Sequence, residues 1–252
     1  MQERVRVADD LEVATGPGRW AAGEAHYLYH EIFTHDDYLR DLPALRPDAV
    51  VVDAGANLGL FALRIARDCP DARLVAVEPV PSTCALLRVN TAALAPGSVR
   101  VVEAALGDRP GRTTLTAYRY LPANSTAHPR EKPADWVAAM RETQPDAETA
   151  DEMLRTDLVE AEVVTLSGIL PPGDRIDLVK IDVEGAELEV LRGVDDRDWP
   201  RIDALVIEVH DVAGRLGEIE NLLAQQGFDC TVRVPAMMSA ELRHHIVTAR
   251  RS

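Results

Sequence analysis

Two carboxylates flank a glycine-rich turn in the first third of the chain. Asp53 ends an apolar run and is followed by Gly55, Asn57 and Gly59. Glu78 ends the next apolar run. This pattern predicts a strand, a tight turn, a helix and a second strand whose end faces the turn. Glycine lets backbone approach a ligand closely, and Glu78 can accept both hydrogen bonds of a ribose diol.

Asp53 distinguishes between two classes of nucleotide ligand. A dinucleotide places its pyrophosphate at the helix N-terminus, where a carboxylate two residues before Gly55 would repel it. The same carboxylate attracts an ammonium group. The turn, including Asn57 and Gly59, therefore favours a ligand with a ribose and an amino acid end, such as S-adenosylmethionine, over a nicotinamide dinucleotide.

Length and composition predict one domain over residues 1–252. The 252 residues are 46% hydrophobic, which is enough for a large core. The formal net charge of −15 provides no basic surface, so neither nucleic acid nor an acidic membrane is an expected partner. The sequence has no apolar run of about 18 residues and no apolar signal core, so we expect a cytoplasmic protein.

Apolar runs alternate with helical patterns over most of the chain, which predicts an α/β fold with a parallel sheet and right-handed crossovers. The expected strands are 50–53, 74–78, 99–104, 112–118, 162–165, 176–182, 203–209 and 228–234. The expected helices include 58–68, 82–94, 185–192 and 214–226. The alternating segment 245–249 is expected to return antiparallel beside the strand before it, as a C-terminal hairpin.

Two regions depart from this rhythm. Residues 1–46 show no strand-like run and are expected to form an N-terminal arm with short helices. Residues 119–160 contain helical compositions near 134–142 and 147–158 and are too long for a plain connection. We interpret this insertion as a helical lid, with a binding loop or a disordered tether as the alternatives. At its head, 124–126 are candidates for positioning an acceptor.

A second motif occupies residues 178–193, LVKIDVEGAELEVLRG. Lys180, Asp182 and Glu184 alternate along one side of a strand and its exit in an otherwise apolar run. Burying three charges is costly unless they pair or serve a ligand, so we interpret them as functional. Glu187, in contrast, is expected to be an ordinary carboxylate in the first turn of a helix.

Together, these motifs resemble the FkbM family of S-adenosylmethionine-dependent methyltransferases. The resemblance covers roughly residues 48–210. Besides the turn and the second motif, it rests on Glu78-Pro79, Ala105 to Asp108 and Thr165 to Leu170, in that order. It implies a class I Rossmann-like fold with a mostly parallel seven-stranded sheet. It also implies methyl transfer to oxygen, commonly a hydroxyl of a specialised metabolite or sugar.

The end of strand 203–209 supplies the candidate general base. Glu208 and His210 share one face there, and an imidazole that titrates near neutrality can remove the proton of an acceptor hydroxyl. Asp182 and Glu184 are the other candidate catalytic residues. The alternative for His210 is a structural histidine that is hydrogen-bonded to a neighbouring carboxylate.

Further residues have two interpretations each. Asp182 with Glu208 or Asp211 could hold Mg²⁺ to polarise the acceptor, or Lys180 could simply neutralise these carboxylates. Tyr38 could close over the methionine end of the cofactor or pack in the core.

Glu103 is a candidate for binding the adenine amino group, with a solvated carboxylate at a strand end as the alternative. We therefore expect an S-adenosylmethionine-dependent O-methyltransferase that acts on a small-molecule hydroxyl. N-methylation and a non-catalytic binding module are the alternatives. A dehydrogenase is disfavoured by Asp53 and by the C-terminal hairpin.

Overall fold

The computed structural model describes residues 2–132, 134–173, 175–238 and 243–251. Met1 of the predicted arm and Pro133 of the predicted insertion lie outside these ranges. The strands are β1 Glu3–Ala8, β2 Leu11–Thr15, β3 Val50–Ala54, β4 Arg73–Val77, β5 Val99–Val102, β6 Ala105–Leu106, β7 Gly111–Tyr118, β8 Thr156–Val164, β9 Leu178–Ile181, β10 Ala204–His210, β11 Phe228–Arg233 and β12 His244–Arg251.

Eight α-helices lie within the described ranges. They are α1 Arg19–Tyr29, α2 Leu60–Asp68, α3 Pro81–Thr91, α4 Ala134–Glu142, α5 Ala147–Met153, α6 Leu166–Ile169, α7 Glu187–Arg192 and α8 Arg215–Gln225. A π-helical turn, His30–Thr34, continues α1. Among the helices that the structure describes, none combines the length and the apolar character needed to traverse a bilayer.

Within the described residues, seven strands form the main sheet in the order β11, β12, β10, β9, β3, β4, β5. The strands from β10 to β5 run parallel, and β12 runs antiparallel to both β10 and β11. In the sheet, β4 lies on one side of β3 and β9 lies on the other side, so the strand order reverses at β3. The carboxyl ends of β3 and β9 therefore border the crevice at which such sheets bind ligands. The prediction of an α/β fold with a mostly parallel sheet is confirmed.

The apolar runs are continuous because both faces of the sheet are covered. β3, β9 and β10 are buried along their whole length. Successive side chains belong to two different core clusters: Val52 and Val179 pack on one face, while Val51 and Leu178 pack on the other. A strand buried on both faces gains from an apolar residue at every position. Charged residues in these strands therefore need a separate explanation.

The N-terminal region contains a hairpin, so the prediction of an arm without strands is wrong. β1 and β2 pair antiparallel, and Val7 and Val13 pack in the same core cluster as Tyr38. Asn90 on α3 fixes the hairpin, because its side chain exchanges hydrogen bonds with the backbone of Ala14 at 2.6 and 3.0 Å. The alternation from Glu3 to Val7 is a short signal that becomes a strand through this tertiary packing.

A second, small sheet was also only partly predicted. In the described ranges its order is β6, β8, β7, with β7 and β8 antiparallel over eight residue pairs. The helix predicted at 147–158 ends at Met153, and the strand predicted at 162–165 begins at Thr156. Pairing with β7 satisfies the backbone of β8, and this outweighs its helical composition.

Candidate active site

A cavity of about 290 Å³ opens at the carboxyl ends of β3, β4 and β9. The residues that follow these strands line it, with Gly55 after β3, Glu78 after β4 and Asp182 after β9. Parallel strands end at a common edge, so three segments that are distant in sequence meet here. The structure thus brings together the glycine turn, Glu78 and the second motif, as the sequence predicted.

The glycine turn depends on positive backbone angles. Gly55, Asn57 and Gly59 have φ values of 79°, 46° and 87°. A Cβ atom on Gly55 would overlap the backbone carbonyl of Asp182, and one on Gly59 would lie 2.6 Å from Leu87 Cδ1. Only glycine tolerates both the angle and the close packing at these two positions.

Glu78 is held by the backbone of the turn. Its carboxylate accepts hydrogen bonds from Asn57 N at 3.0 Å and from Val80 N at 2.9 Å. Glu78 is 6% exposed, and burial raises its pKa to about 7. Each oxygen still has a second lone pair. Beside it, the side-chain amide of Asn57 is buried and has no partner among the described residues.

Lys180 carries a buried ion pair beneath the cavity. Its Nζ lies 3.1 Å from Asp53 Oδ1, 3.1 Å from Gly55 O and 3.3 Å from Asp182 Oδ2. Burial opposes the charge on Lys180, but the carboxylates of Asp53 and Asp182 outweigh it and raise its pKa. Asp53 is fully buried and is not among the residues that line the cavity, whereas Lys180 is. The predicted attraction of a ligand ammonium to Asp53 is thus replaced by a pair within the protein.

Tyr38 connects the two carboxylates that were predicted as metal ligands. Its hydroxyl lies 3.1 Å from Asp182 Oδ2 and 2.8 Å from Glu208 Oε2. The ring is buried edge-on against Phe61 and also lines the cavity, so both interpretations of Tyr38 are compatible with its position. Burial, together with Glu208 and Glu184, raises the pKa of Asp182 to about 7.

Glu184 joins the insertion to the end of β9. Its Oε2 lies 2.6 Å from Lys132 Nζ and 3.8 Å from His210 Nδ1. Thr126 Oγ1 donates to the backbone carbonyl of Glu184 at 2.5 Å, and Asn124 Oδ1 accepts from Lys132 at 3.0 Å. The segment predicted to position an acceptor therefore contacts a candidate catalytic residue directly.

The first part of the insertion forms one wall of the cavity. Its lining residues are Pro122, Ala123, Ser125, Ala127 and His128. The Ala123 backbone N–H donates to the buried carboxylate of Glu24 on α1 at 3.1 Å. The wall is thereby attached to the N-terminal region.

His210 lies behind the cavity wall. It is 8% exposed and does not line the cavity, and burial lowers its pKa. Its ring stacks on that of His244, with centroids 4.0 Å apart and an interplanar angle of 24°. A general base must reach the proton that it removes, and here Glu184, 3.8 Å from His210 Nδ1, lines the cavity while His210 does not.

His244, which no sequence pattern singled out, completes a group of potential metal ligands. Donor atoms of Glu208, His210 and His244 all lie within 4.8 Å of one another, and the three residues are buried. Burial would raise the pKa of Glu208, but the two imidazoles and the Tyr38 hydroxyl outweigh it and lower that pKa to about 2. Asp211, the other predicted ligand, instead accepts a hydrogen bond from Leu216 N at 3.1 Å in the first turn of α8.

Two other carboxylates differ from their sequence interpretation. Glu103 pairs with Arg88 at 2.8 Å and does not line the cavity, which matches the solvated alternative. Glu187 lies in the first turn of α7, as expected, but it is fully buried, so the interpretation as an ordinary, solvated carboxylate is wrong. It accepts from Gly185 N at 2.6 Å and lies 3.5 Å from Arg215, and burial raises its pKa to about 8.

Glu31 is a lining residue to which the sequence assigned no role. It lies in the π-helical turn after α1 and is 4% exposed. Burial, followed by the nearby carboxylates of Glu208 and Asp182, raises its pKa. Its placement depends on the packing of the N-terminal region against the sheet, and nothing in residues 30–34 indicates that packing.

The fold and the site define a class I methyltransferase with a Rossmann-like sheet. Its glycine turn follows the first strand of the main sheet, and a carboxylate ends the second. The site faces the edge at which β3 and β9 end.

Comparisons with known proteins indicate the same class of enzyme. The family model described as the methyltransferase FkbM domain matches residues 53–230. Methyltransferase sdnD of Sordaria araneosa is 40% identical over 220 residues, which cover 82% of this chain and 83% of the relative. The 31-O-demethyl-FK506 methyltransferase FkbM of Streptomyces tacrolimicus is 39% identical over 247 residues, 92% of each chain.

A solved structure shows the same fold. The crystal structure of methyltransferase FkbM from Methylobacillus flagellatus KT has a TM-score of 0.56 and 16% identity, and the match covers 89% of this chain and 50% of that one. The chain belongs to the FkbM methyltransferase family, and S-adenosylmethionine is its cofactor.

Proposed function

We propose that the chain is an O-methyltransferase whose acceptor is a hydroxyl of a small specialised metabolite or a sugar. The observation that carries this proposal is Asp182, a carboxylate on the cavity wall with a pKa of about 7. A hydroxyl must lose its proton as it attacks, and a base that titrates near neutrality suits this task. The name of the Streptomyces tacrolimicus relative, which describes methylation of an oxygen, also supports the choice of acceptor.

The glycine turn and the end of β4 would hold the cofactor. Glu78 has spare lone pairs for a ribose diol. The buried amide of Asn57, which has no partner in the described part of the chain, can hydrogen-bond the polar groups of an adenosine. Gly55 and Gly59 keep side chains out of the turn. When it is bound, S-adenosylmethionine supplies an electrophilic methyl group.

Asp182 is the proposed proton acceptor, and Tyr38 positions it. The hydroxyl of Tyr38 lies 3.1 Å from Asp182 Oδ2, while Lys180 Nζ lies 3.3 Å from the same oxygen. These contacts restrict the carboxylate to one orientation. Glu184 is the second candidate, since it also lines the cavity. The acceptor O–H bond breaks, and its proton passes to one of these carboxylates.

We also propose that the insertion acts as a lid. The contacts of Lys132 and Thr126 with Glu184 fasten its first part over the carboxylates. Closure of this segment would exclude water from the reacting hydroxyl. Lys132→Met would then raise the acceptor KM more than the Kd of the cofactor.

Transfer of labelled methyl from S-adenosylmethionine to a panel of hydroxyl compounds and matched amines tests the function. We expect transfer to hydroxyls, and a decrease in turnover of about 10²- to 10⁴-fold in Asp182→Asn with little change in cofactor affinity. Glu103→Gln is the control and should keep full activity. Transfer to the amines alone would indicate an N-methyltransferase, and tight cofactor binding without any transfer would indicate a binding module.

A further inference from the structure

Two histidines and a glutamate meet behind the cavity wall, on the adjacent strands β10 and β12. His210 and His244 are directly paired across these antiparallel strands, and Glu208 precedes His210 on the same face. All three are buried, with side chains that are no more than 10% exposed. The register of β10 and β12 thus brings together two imidazoles and one carboxylate.

The hydrogen bonding of these groups is incomplete. Among the described residues, the buried His210 Nε2 has no hydrogen-bond partner, and the buried His244 Nδ1 lies 3.4 Å from Glu208 Oε1 without a well-formed hydrogen bond. Buried polar atoms without partners are rare, because each loses its bonds to water without replacement. Imidazole nitrogens with free lone pairs beside a buried carboxylate are able to bind a cation.

The spacing suits a metal ion. The donor atoms lie within 4.8 Å of one another, and His244 Nδ1 is 3.4 Å from Glu208 Oε1. Donors at about 2.0–2.2 Å from a tetrahedral ion are themselves about 3.3 Å apart. The glutamate–histidine pair already has this separation. The His210 ring stacks on that of His244 with planes 24° apart, so it must turn out of this stack to point its lone pair at the same ion.

We propose that Glu208, His210 and His244 form a binding site for a divalent transition-metal ion, and that Zn²⁺ is the ion this donor set favours. Two imidazoles and one carboxylate suit zinc, whereas Mg²⁺ prefers oxygen donors throughout. The site retains Glu208 from the sequence prediction and replaces Asp182 with two histidines. It also gives His210 a role other than that of general base.

The ion has a positioning role rather than a contact with the acceptor. Glu208 Oε2 accepts from the Tyr38 hydroxyl, which also lies next to Asp182 on the cavity wall. An ion bound to the other oxygen of Glu208 would hold this chain of contacts in place and offset the buried negative charge. This site is independent of the identity of the acceptor.

Zinc binding to the full chain, stripped with a chelator and titrated against a chromophoric competitor, tests the proposal. We expect roughly one ion per chain in the wild type. His210→Ala and His244→Ala should weaken binding beyond the roughly 10- to 100-fold that the loss of an outer-shell partner costs. His245→Ala is the matched control, because His245 is next in sequence but points to the other face of β12.

Equal zinc affinity in the wild type and in His244→Ala, or an equal loss in His245→Ala, would overturn the proposal. S-adenosylhomocysteine binding to each variant shows separately whether the fold and the cofactor site persist. If both histidine variants fail to fold, X-ray absorption of the wild-type zinc complex still identifies the ligands of the ion. Two imidazole nitrogens at about 2.0–2.1 Å support the site, and a shell of oxygens alone, or no bound zinc, excludes it.

Discussion

Lys180 Nζ lies 3.1 Å from Asp53 Oδ1, and the two residues stand opposite each other on the neighbouring strands β9 and β3. Both side chains are at most 4% exposed. Burying an ion pair at this depth costs desolvation free energy, and each charge is stabilised there by its partner. The pair lies beneath the cavity, which Lys180 lines, and joins the two strands from which the site is built.

Lys180→Met should destabilise the protein strongly. It leaves the Asp53 carboxylate buried without its partner, which costs about 3–5 kcal/mol of unfolding free energy. Urea denaturation measures the loss. Arg88→Met, which breaks the exposed pair with Glu103, should cost about 0–1 kcal/mol. Asp53→Asn combined with Lys180→Met should recover part of the stability, because it also removes the buried carboxylate. A loss below about 1 kcal/mol in Lys180→Met alone would show that the stability of the fold does not depend on this ion pair.

Glu78→Gln should weaken cofactor binding by about 10- to 100-fold. Hydrogen bonds to a charged group contribute about 1.5–3 kcal/mol, and the variant replaces a carboxylate with a neutral amide. Calorimetric titration with S-adenosylhomocysteine measures the effect. Glu103→Gln should change the affinity by no more than about twofold, since this side chain is outside the cavity. Comparable losses in both variants would restore the adenine role predicted for Glu103.

The pKa of Glu78 predicts a pH dependence of opposite sign for stability and for binding. Folding raises this pKa from 4.5 to about 7, so the folded protein keeps a proton that the unfolded chain releases. The contribution of Glu78 to the unfolding free energy therefore falls as the pH rises through this window. Cofactor binding requires the ionised carboxylate of Glu78, so the affinity for the cofactor should rise with pH and level off above about 7.

The difference in melting temperature between wild type and Glu78→Gln, without cofactor and at several pH values, checks the stability part. The wild type should match the variant near pH 5 and fall below it near pH 8, because protonated glutamate resembles glutamine. A constant difference across this range would mean that Glu78 is ionised throughout.

Gly55→Ala should disrupt the turn. The new Cβ would overlap the Asp182 carbonyl and would impose a side chain on a φ of 79°, so we expect a loss of at least about 2 kcal/mol and of cofactor binding. Gly23→Ala is the control, because its position in α1 is open, and it should stabilise by about 0.5–1 kcal/mol. Thermal unfolding of both variants provides the comparison, and equal melting temperatures would contradict the steric argument.

Local patterns made much of the cofactor side predictable. A strand that is buried on both faces must be apolar throughout, and a turn with positive φ values must contain glycine, so β3, Gly55 and Gly59 are visible in the sequence alone. Glu78 follows from its place at the end of the next strand. The β1–β2 hairpin and the start of β8 were missed because short segments become strands only through their partners.

The sequence by itself determined the order of the strands of the main sheet, the turn and the charged motif, since each depends on residues that are close in the chain. The tertiary structure decided which charges meet. Pairing Asp53 with Lys180 required β9 to lie beside β3, and pairing His210 with His244 required one register between β10 and β12. A shift of that register by one residue would turn His244 to the opposite face, and local sequence does not encode the register.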